Sequence, residues 1–214
     1  MGKEEYTDLG RGVIKRKAKR RVGIFIDGTG LDRATRRLDR KVDLSRLLAG
    51  VSAGLQTDCV RYYTLIPYED DARQFSFLDA VERAGMEVVV KRLPPKNVKR
   101  QVSVDVLMAS DIMAFSYGYY EKAQAASQAA TQAATGTDGG NIIQLSPTIV
   151  DPADTKRIAV VVCPNRELSY AIYLAHTLGV ETHLADFGLY GTSDGWKGID
   201  KWIDLSTSVT IWRA

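Results

Sequence analysis

Three stretches of this chain gather side chains that could hold a hard cation beside a phosphate. Asp27 closes the apolar run Arg21-Val22-Gly23-Ile24-Phe25-Ile26-Asp27-Gly28-Thr29-Gly30-Leu31. Asp105 and Asp111 stand six residues apart in Val104–Asp111, and Asn165 and Glu167 follow the run Val160–Cys163. Clustered carboxylates repel one another unless a cation intervenes, and oxygen ligands of this kind suit Mg²⁺ or Mn²⁺ completed by water and substrate phosphate. A metal so held can activate water and stabilise the leaving oxygen of a phosphodiester.

These residues need elements that bring them to one edge. Unbroken β-branched and aromatic runs at about 21–27, 58–66, 86–90, 157–163 and 180–186 predict strands buried on both faces. Apolar spacing predicts helices at 42–51, 70–84, 103–120 and 167–178, with Gly54, Gly85 and Gly179 as stops. Residues 32–41 are too polar for a core and read as a loop or an exposed helical turn. A short helix or turn at 199–204 and a strand at about 208–212 are expected to end the chain. Strand alternating with helix predicts an α/β fold, a mainly parallel sheet flanked by helices on both faces. Asp27, the basic run Lys91–Arg100, and Asn165 with Glu167 then lie at strand exits, where ligands gather in such folds.

The 214 residues, 45% hydrophobic, can bury one good core. One domain at 21–212 is expected, preceded by a basic flexible arm at 1–20. Residues 1–21 carry eight Lys and Arg against three acids, while the whole chain is only +3. A basic arm on a mildly acidic body suggests contact with a phosphate backbone. No apolar run approaches the roughly 20 residues of a membrane span. Cys59 and Cys163 both lie in apolar runs and read as buried free thiols of a reducing, cytoplasmic compartment. The Ala/Gln-rich tract at about 121–156 reads as a surface insertion of unassigned role.

With these motifs in place, the chain resembles the NYN domain, a branch of the PIN-like nucleases. Ile24–Leu31 resembles that family's opening "FIDGxNL", and Val104–Asp111 its helix "K-G-V-D-V-x-L-A-x-D". Val160–Leu168 occupies the place of its "S-G-D-x-D-F" motif, Gly179–His183 resembles the following strand, and Ile199–Leu205 its closing "A-D-x-F-I-x-L". The resemblance implies a three-layer, Rossmann-like fold and a metal-dependent ribonuclease using Mg²⁺ or Mn²⁺. By that resemblance Asp27, Asp105 and Glu167 are the catalytic positions, and Asp27, Asp105, Asp111, Asn165 and Glu167 the metal-binding ones. Arg33, Arg36, Arg37, Lys96, Lys99 and Arg100 are the candidate nucleic-acid contacts. RNA is the expected partner, with further copies of the chain or a larger assembly also open and no membrane.

The departures from the family pattern matter. Gly30 stands where the family has Asn, Val102-Ser103 where it has Lys-Gly, and Asn165 and Glu167 where it has two Asp. These changes remove an amide at 30, charge at 102 and 165, and shift a carboxylate at 167, so the alternative is a weakened or inactive RNA-binding or assembly subunit of the same fold. Asp27 also reads as a turn cap, Asn165 as an N-cap and Glu167 as an acid favoured by a helix dipole. The six-residue spacing turns Asp111 about 120° from Asp105, which makes Asp105 the better ligand. His176 and His183 have no paired metal spacing and read as packing or surface residues. A covalent phosphatase is set aside because Phe25 stands where its nucleophile would be, and a dinucleotide fingerprint because its third glycine falls on Arg33.

Overall fold

Alternate side chains of β1 (Lys19–Asp27) point into two different cores, and the rest of the architecture follows from that. Ile24 and Ile26 pack on one face with Val160, Val162, Leu47 and Tyr62. Phe25 packs on the other with Tyr63, Val161, Met108 and Ile112. A strand apolar on both faces must be covered on both, so it takes a central place. In the computed structural model, which describes residues 19–69, 72–120, 155–188 and 195–213, β1 lies between two parallel partners.

The sheet has six strands, all parallel, in the order β3-β2-β1-β4-β5-β6. They are β2 (Thr57–Ile66), β3 (Glu87–Arg92), β4 (Thr155–Val162), β5 (Glu181–Asp186) and β6 (Lys201–Asp204), beside β1. Helix α1 (Gly28–Arg37), α2 (Leu44–Ser52) and α3 (Ala72–Arg83) contribute Leu31, Leu47 and Val81 to one core. Helix α4 (Asp105–Ser116) and α5 (Ser169–Thr177) contribute Met108, Ile112 and Ile172 to the other. This is a three-layer α/β fold. The chain winds outward from β1 to β3 and then crosses to β4 on the opposite side of β1. That reversal opens a crevice beyond the carboxyl ends of β1 and β4.

The structure corrects the sequence reading in four places. Residues 28–37 form a full helix, because Asp27 caps its start and Leu31 with Ala34 gives it a narrow buried face. Lys19 and Arg20, expected in the arm, belong to β1 and pair with Thr155 and Lys156, expected in the insertion. The remainder of both lies outside the described residues. The fourth helix stops at Ser116. At the C-terminus the order of elements is reversed, with β6 at 201–204 followed by a 3₁₀ turn, Leu205–Thr207. Ile211 and Trp212 are buried beneath the α1–α2 connection, where Asp43 N–H donates to the Ile211 carbonyl (2.8 Å) and Arg213 N–H to that of Lys41 (2.8 Å). Trp212 makes only an isolated antiparallel bridge with Val42. Both cysteines are free, Cys163 buried and Cys59 half-buried.

Asp111 joins α4 to β2. It accepts the hydroxyls of Tyr63 (2.8 Å) and Tyr120 (3.0 Å) and pairs with Arg61 Nη1 at 2.7 Å, while Arg61 also holds Glu87 on β3. Arg61 and Asp111 are only 17% and 20% exposed, so removing the acid strands a guanidinium and two hydroxyls. Asp111→Ala is therefore expected to destabilise the fold by roughly 3 kcal/mol in urea unfolding. Asp32→Ala, which removes the exposed Asp32–Arg36 pair, should change stability by less than about 1 kcal/mol.

Candidate active site

Asp27 sits at the carboxyl end of β1, only 6% exposed. Its Oδ1 accepts the backbone N–H groups of Thr29 and Gly30, each at 3.0 Å, which makes it the N-cap of α1. The capping role read in the sequence is thus present, and it fixes the acid against the start of the helix. Burial raises the Asp27 pKa, two N–H donors oppose the rise, and the neighbouring Asp105 charge adds to it.

Asp105 opens α4, and Ser103 positions it. The Ser103 hydroxyl donates to Asp105 Oδ2 and accepts the Asp105 backbone N–H at 2.9 Å. Asn165, on the turn after β4, donates its amide to the same Oδ2 at 3.4 Å. Residues from β1, α4 and the β4 exit thus meet at the crevice. Asn165 does not cap the 3₁₀ turn Arg166–Leu168 with its side chain. Glu167 is exposed on that turn, outside the hydrogen-bonded set. Asp111 has both oxygens engaged by the network described above, which separates it from the Asp27–Asp105 pair.

Gly28 and Gly30 are glycine for steric reasons. A Cβ at Gly28 would run into the Tyr62 ring, and one at Gly30 into the carbonyl oxygen of Cys163. Cys163 has φ +51, so β4 ends in a left-handed residue whose carbonyl presses on the first turn of α1. The Gly30 departure noted in the sequence is thus matched by the path of the chain at Cys163.

Two residues missed in the sequence complete this edge. Asp186 ends β5, with Oδ1 accepting the Phe187 N–H at 2.7 Å and the carboxylate hydrogen-bonded to the Cys163 thiol. Burial pushes the Asp186 carboxyl up and holds the Cys163 thiol well above its ordinary value, with the charges of Asp186 and Asp27 adding to the latter. Asp186 ends a strand just as Asp27 does, and that position was the available signal. Trp196, whose ring lies 4.9 Å from the Arg166 guanidinium, belongs to a loop that carried no periodicity.

Helix α1 divides the crevice. Gly30, Arg33, Ala34 and Arg37, at helical spacing, line a cavity of about 280 Å³ on the β4 side. Thr29, Asp32 and Arg36 line a cleft of about 530 Å³ on the β2 side, walled by Tyr62 and Phe77. Arg36 is paired with Asp32 at 3.0 Å, and Lys96, Lys99 and Arg100 are exposed on the loop between β3 and α4. His176 faces Asp200 at 3.2 Å and His183 faces Glu181 at 2.7 Å.

An all-parallel sheet with an acid pair at its switch point defines an α/β domain of the Rossmann-like kind. The family model of the NYN domain, a branch of the PIN-like nuclease superfamily, matches residues 21–125. The fold is similar to the crystal structure of a protein of unknown function from Vibrio parahaemolyticus RIMD 2210633, with a TM-score of 0.64 and 10% identity, over 94% of this chain and 100% of that one. No curated protein matches the sequence. Among the described residues no helix is long and apolar enough to cross a membrane.

The raised Asp27 pKa has a consequence for stability. Native Asp27 holds its proton to higher pH than the unfolded carboxyl, so its ionisation subtracts from stability as pH climbs past the ordinary value of 3.8. Asn caps a helix as well as Asp does. In metal-free buffer, Asp27→Asn is expected to melt at a higher temperature than the wild type at neutral pH. Thermal melts across pH should show the difference closing as pH falls toward the ordinary carboxylate value.

Proposed function

We propose that the chain is a metal-dependent nuclease that hydrolyses RNA phosphodiester bonds at the Asp27–Asp105 pair. The observation that carries this reading is the placement of a buried carboxylate, its pKa raised by burial and by a second carboxylate, at the switch point of a parallel sheet. Such a pair is relieved by a cation, and Mg²⁺ is commonly held by one or two carboxylates completed by water and substrate phosphates. The donor set fits. Asp27 keeps Oδ2 beside its two capping bonds, Asp105 has acceptor capacity beyond Ser103 and Asn165, and the Asn165 carbonyl oxygen is a further hard ligand.

In this reading Asp27 and Asp105 hold Mg²⁺ or Mn²⁺, and the metal when bound supplies an activated water and charge for the leaving oxygen. Ser103 and the α1 N-terminus fix the two carboxylates, so little reorganisation accompanies binding. Arg33 and Arg37 flank the pair on α1 and hold the phosphate backbone, with Lys96, Lys99 and Arg100 as outer contacts. Asp111 and Glu167 are left out of the proposed ligand set, the first because its oxygens are occupied and the second because it faces solvent.

One observation favours a second reading, a binding module that has lost its chemistry. Among the described residues no group of three or more His, Cys, Asp or Glu is suited to holding a metal ion. Calorimetric titration of Mn²⁺, with and without RNA, separates the two. Binding by the wild type that Asp27→Asn abolishes supports the nuclease, and no binding by either protein supports the module.

Asp27→Asn is expected to lower Mn²⁺-stimulated RNA cleavage by more than about 100-fold, beyond the usual loss of an outer hydrogen-bond partner, with RNA binding retained. Undiminished cleavage in a gel assay would remove Asp27 from the mechanism. Charge reversal at Lys96, Lys99 and Arg100 should weaken RNA binding and reduce the slope of log K against log salt by about 2, the counterion release of three single-strand phosphate contacts.

A further inference from the structure

The cleft on the β2 side of α1 is lined mainly by uncharged groups and holds one polar atom that the fold leaves unused. Tyr62 stands on its wall, 3% exposed, and among the described residues its hydroxyl has no hydrogen-bond partner. The hydroxyl end of that ring lies over Gly28, where any Cβ would collide with it. Burial, with the charges of Asp32 and Asp27 adding, raises the Tyr62 pKa, so the group stays protonated and can donate. A buried hydroxyl without a partner costs the fold stability, and an arriving acceptor recovers it. Helix α3 brings Gln74 and Phe77 to the same cleft, one turn apart on one face. The Phe77 and Tyr62 rings meet at 6.0 Å between centroids and 68°, and Phe77 is still 40% exposed, so ring surface is left to the cleft. Leu65, Pro67 and Leu93 continue the apolar wall. The cations of the lining are engaged: Arg36 pairs with Asp32 at 3.0 Å, and Arg73 is not free either. The volume, about 530 Å³, falls within the range of small-ligand sites.

We propose that this cleft takes a nucleobase of the RNA strand, next to the phosphate held at the Asp27–Asp105 pair. The proposal rests on the RNA reading above and deepens it, from a grip on phosphates to a grip on a base. A base is flat, uncharged and edged with donors and acceptors, which an aromatic wall, an amide and an unused hydroxyl can recognise. The Phe77 ring gives a stacking surface, Tyr62 donates to a ring nitrogen or carbonyl oxygen, and the Gln74 amide both donates and accepts. A phosphate suits this lining less well, because the cations there are already engaged. Gly28 and Thr29 line the cleft, and the Thr29 N–H is one of the two that hold Asp27 Oδ1, so a base seated here adjoins the acid pair.

The test uses the full chain in EDTA, where metal-dependent cleavage is suppressed, and fluorescence anisotropy with three short labelled RNA strands of equal length. One has no bases, one a single adenine and one a single uracil at the middle position, so all three carry the same phosphates. A base-bearing strand is expected to bind at least about fivefold more tightly than the abasic one. Phe77→Leu, which keeps an apolar side chain and loses the ring, should bring that ratio toward one. It should leave the salt slope unchanged, since the slope counts phosphates. Tyr62→Phe, which keeps the ring and loses the hydroxyl, should lower the ratio in part. Where Phe77→Leu fails to fold by circular dichroism, Tyr62→Phe decides. Equal binding of all three strands would overturn the proposal, as would a ratio that survives both variants. Adenosine or uridine that competes as well as the strand would make the free nucleoside the ligand and overturn the RNA-base assignment. Binding of no strand would overturn the RNA reading and this proposal with it. Cleavage assays on the same protein keep the two readings apart. Base preference without metal-dependent cleavage overturns the nuclease alone, and cleavage without base preference overturns the base subsite alone.

Discussion

A single carboxylate links the fold to the candidate site. Asp27 Oδ1 ties the end of β1 to the first turn of α1 through two backbone N–H groups. The acid cannot shift without moving the helix, and the helix carries Arg33 and Arg37. Burial makes this arrangement unfavourable for the ionised acid in isolation. A cation or a positively charged environment offsets that. Stability and function pull in opposite directions at this residue, as is common where a site is built into the end of a core strand.

The backbone approach between Gly30 and Cys163 is the second constraint. Because the Cys163 carbonyl lies where a side chain at 30 would begin, β4 exits close against α1. That exit carries Pro164, Asn165 and Arg166 to the crevice. Asn165 then reaches Asp105 across the two halves of the sheet, and Arg166 reaches the cavity lined by α1. A larger residue at 30 would push the two strand exits apart and open the site on its β4 side. The departure at Gly30 and the turn at Cys163 are thus parts of one local solution.

Polar groups elsewhere show why residue type alone ranks candidates poorly. Asp111 is as acidic as Asp105 and lies on the same helix, yet it is enclosed by Arg61, Tyr63 and Tyr120. There it anchors α4 to β2, and the helix that presents Asp105 is held in place by it. His176 and His183 pair with neighbouring carboxylates, the latter across two positions of a single strand.

The sequence by itself determined the alternation of strands and helices, the helix stops at Gly54, Gly85 and Gly179, and Asp27 as an acid at a strand end. Those features are local, since hydrophobic period, β-branching and glycine at positive φ act within a few residues of each position. It could not separate Asp105 from Asp111 beyond a helical angle, identify Asp186, or see that Arg33, Arg37 and Arg166 share a cavity. Nor did it show that Trp212 would be buried while β6 formed earlier in the chain. These depend on which strands become neighbours, and the crossover that places β4 beside β1 joins residues more than a hundred positions apart. The sequence put the polar exits of β1 and β4 and the helix carrying Asp105 at one edge, and only the packed sheet added the end of β5 to them. The physical reason is that a strand with two apolar faces must be enclosed, and enclosing β1 brings β4 to its side.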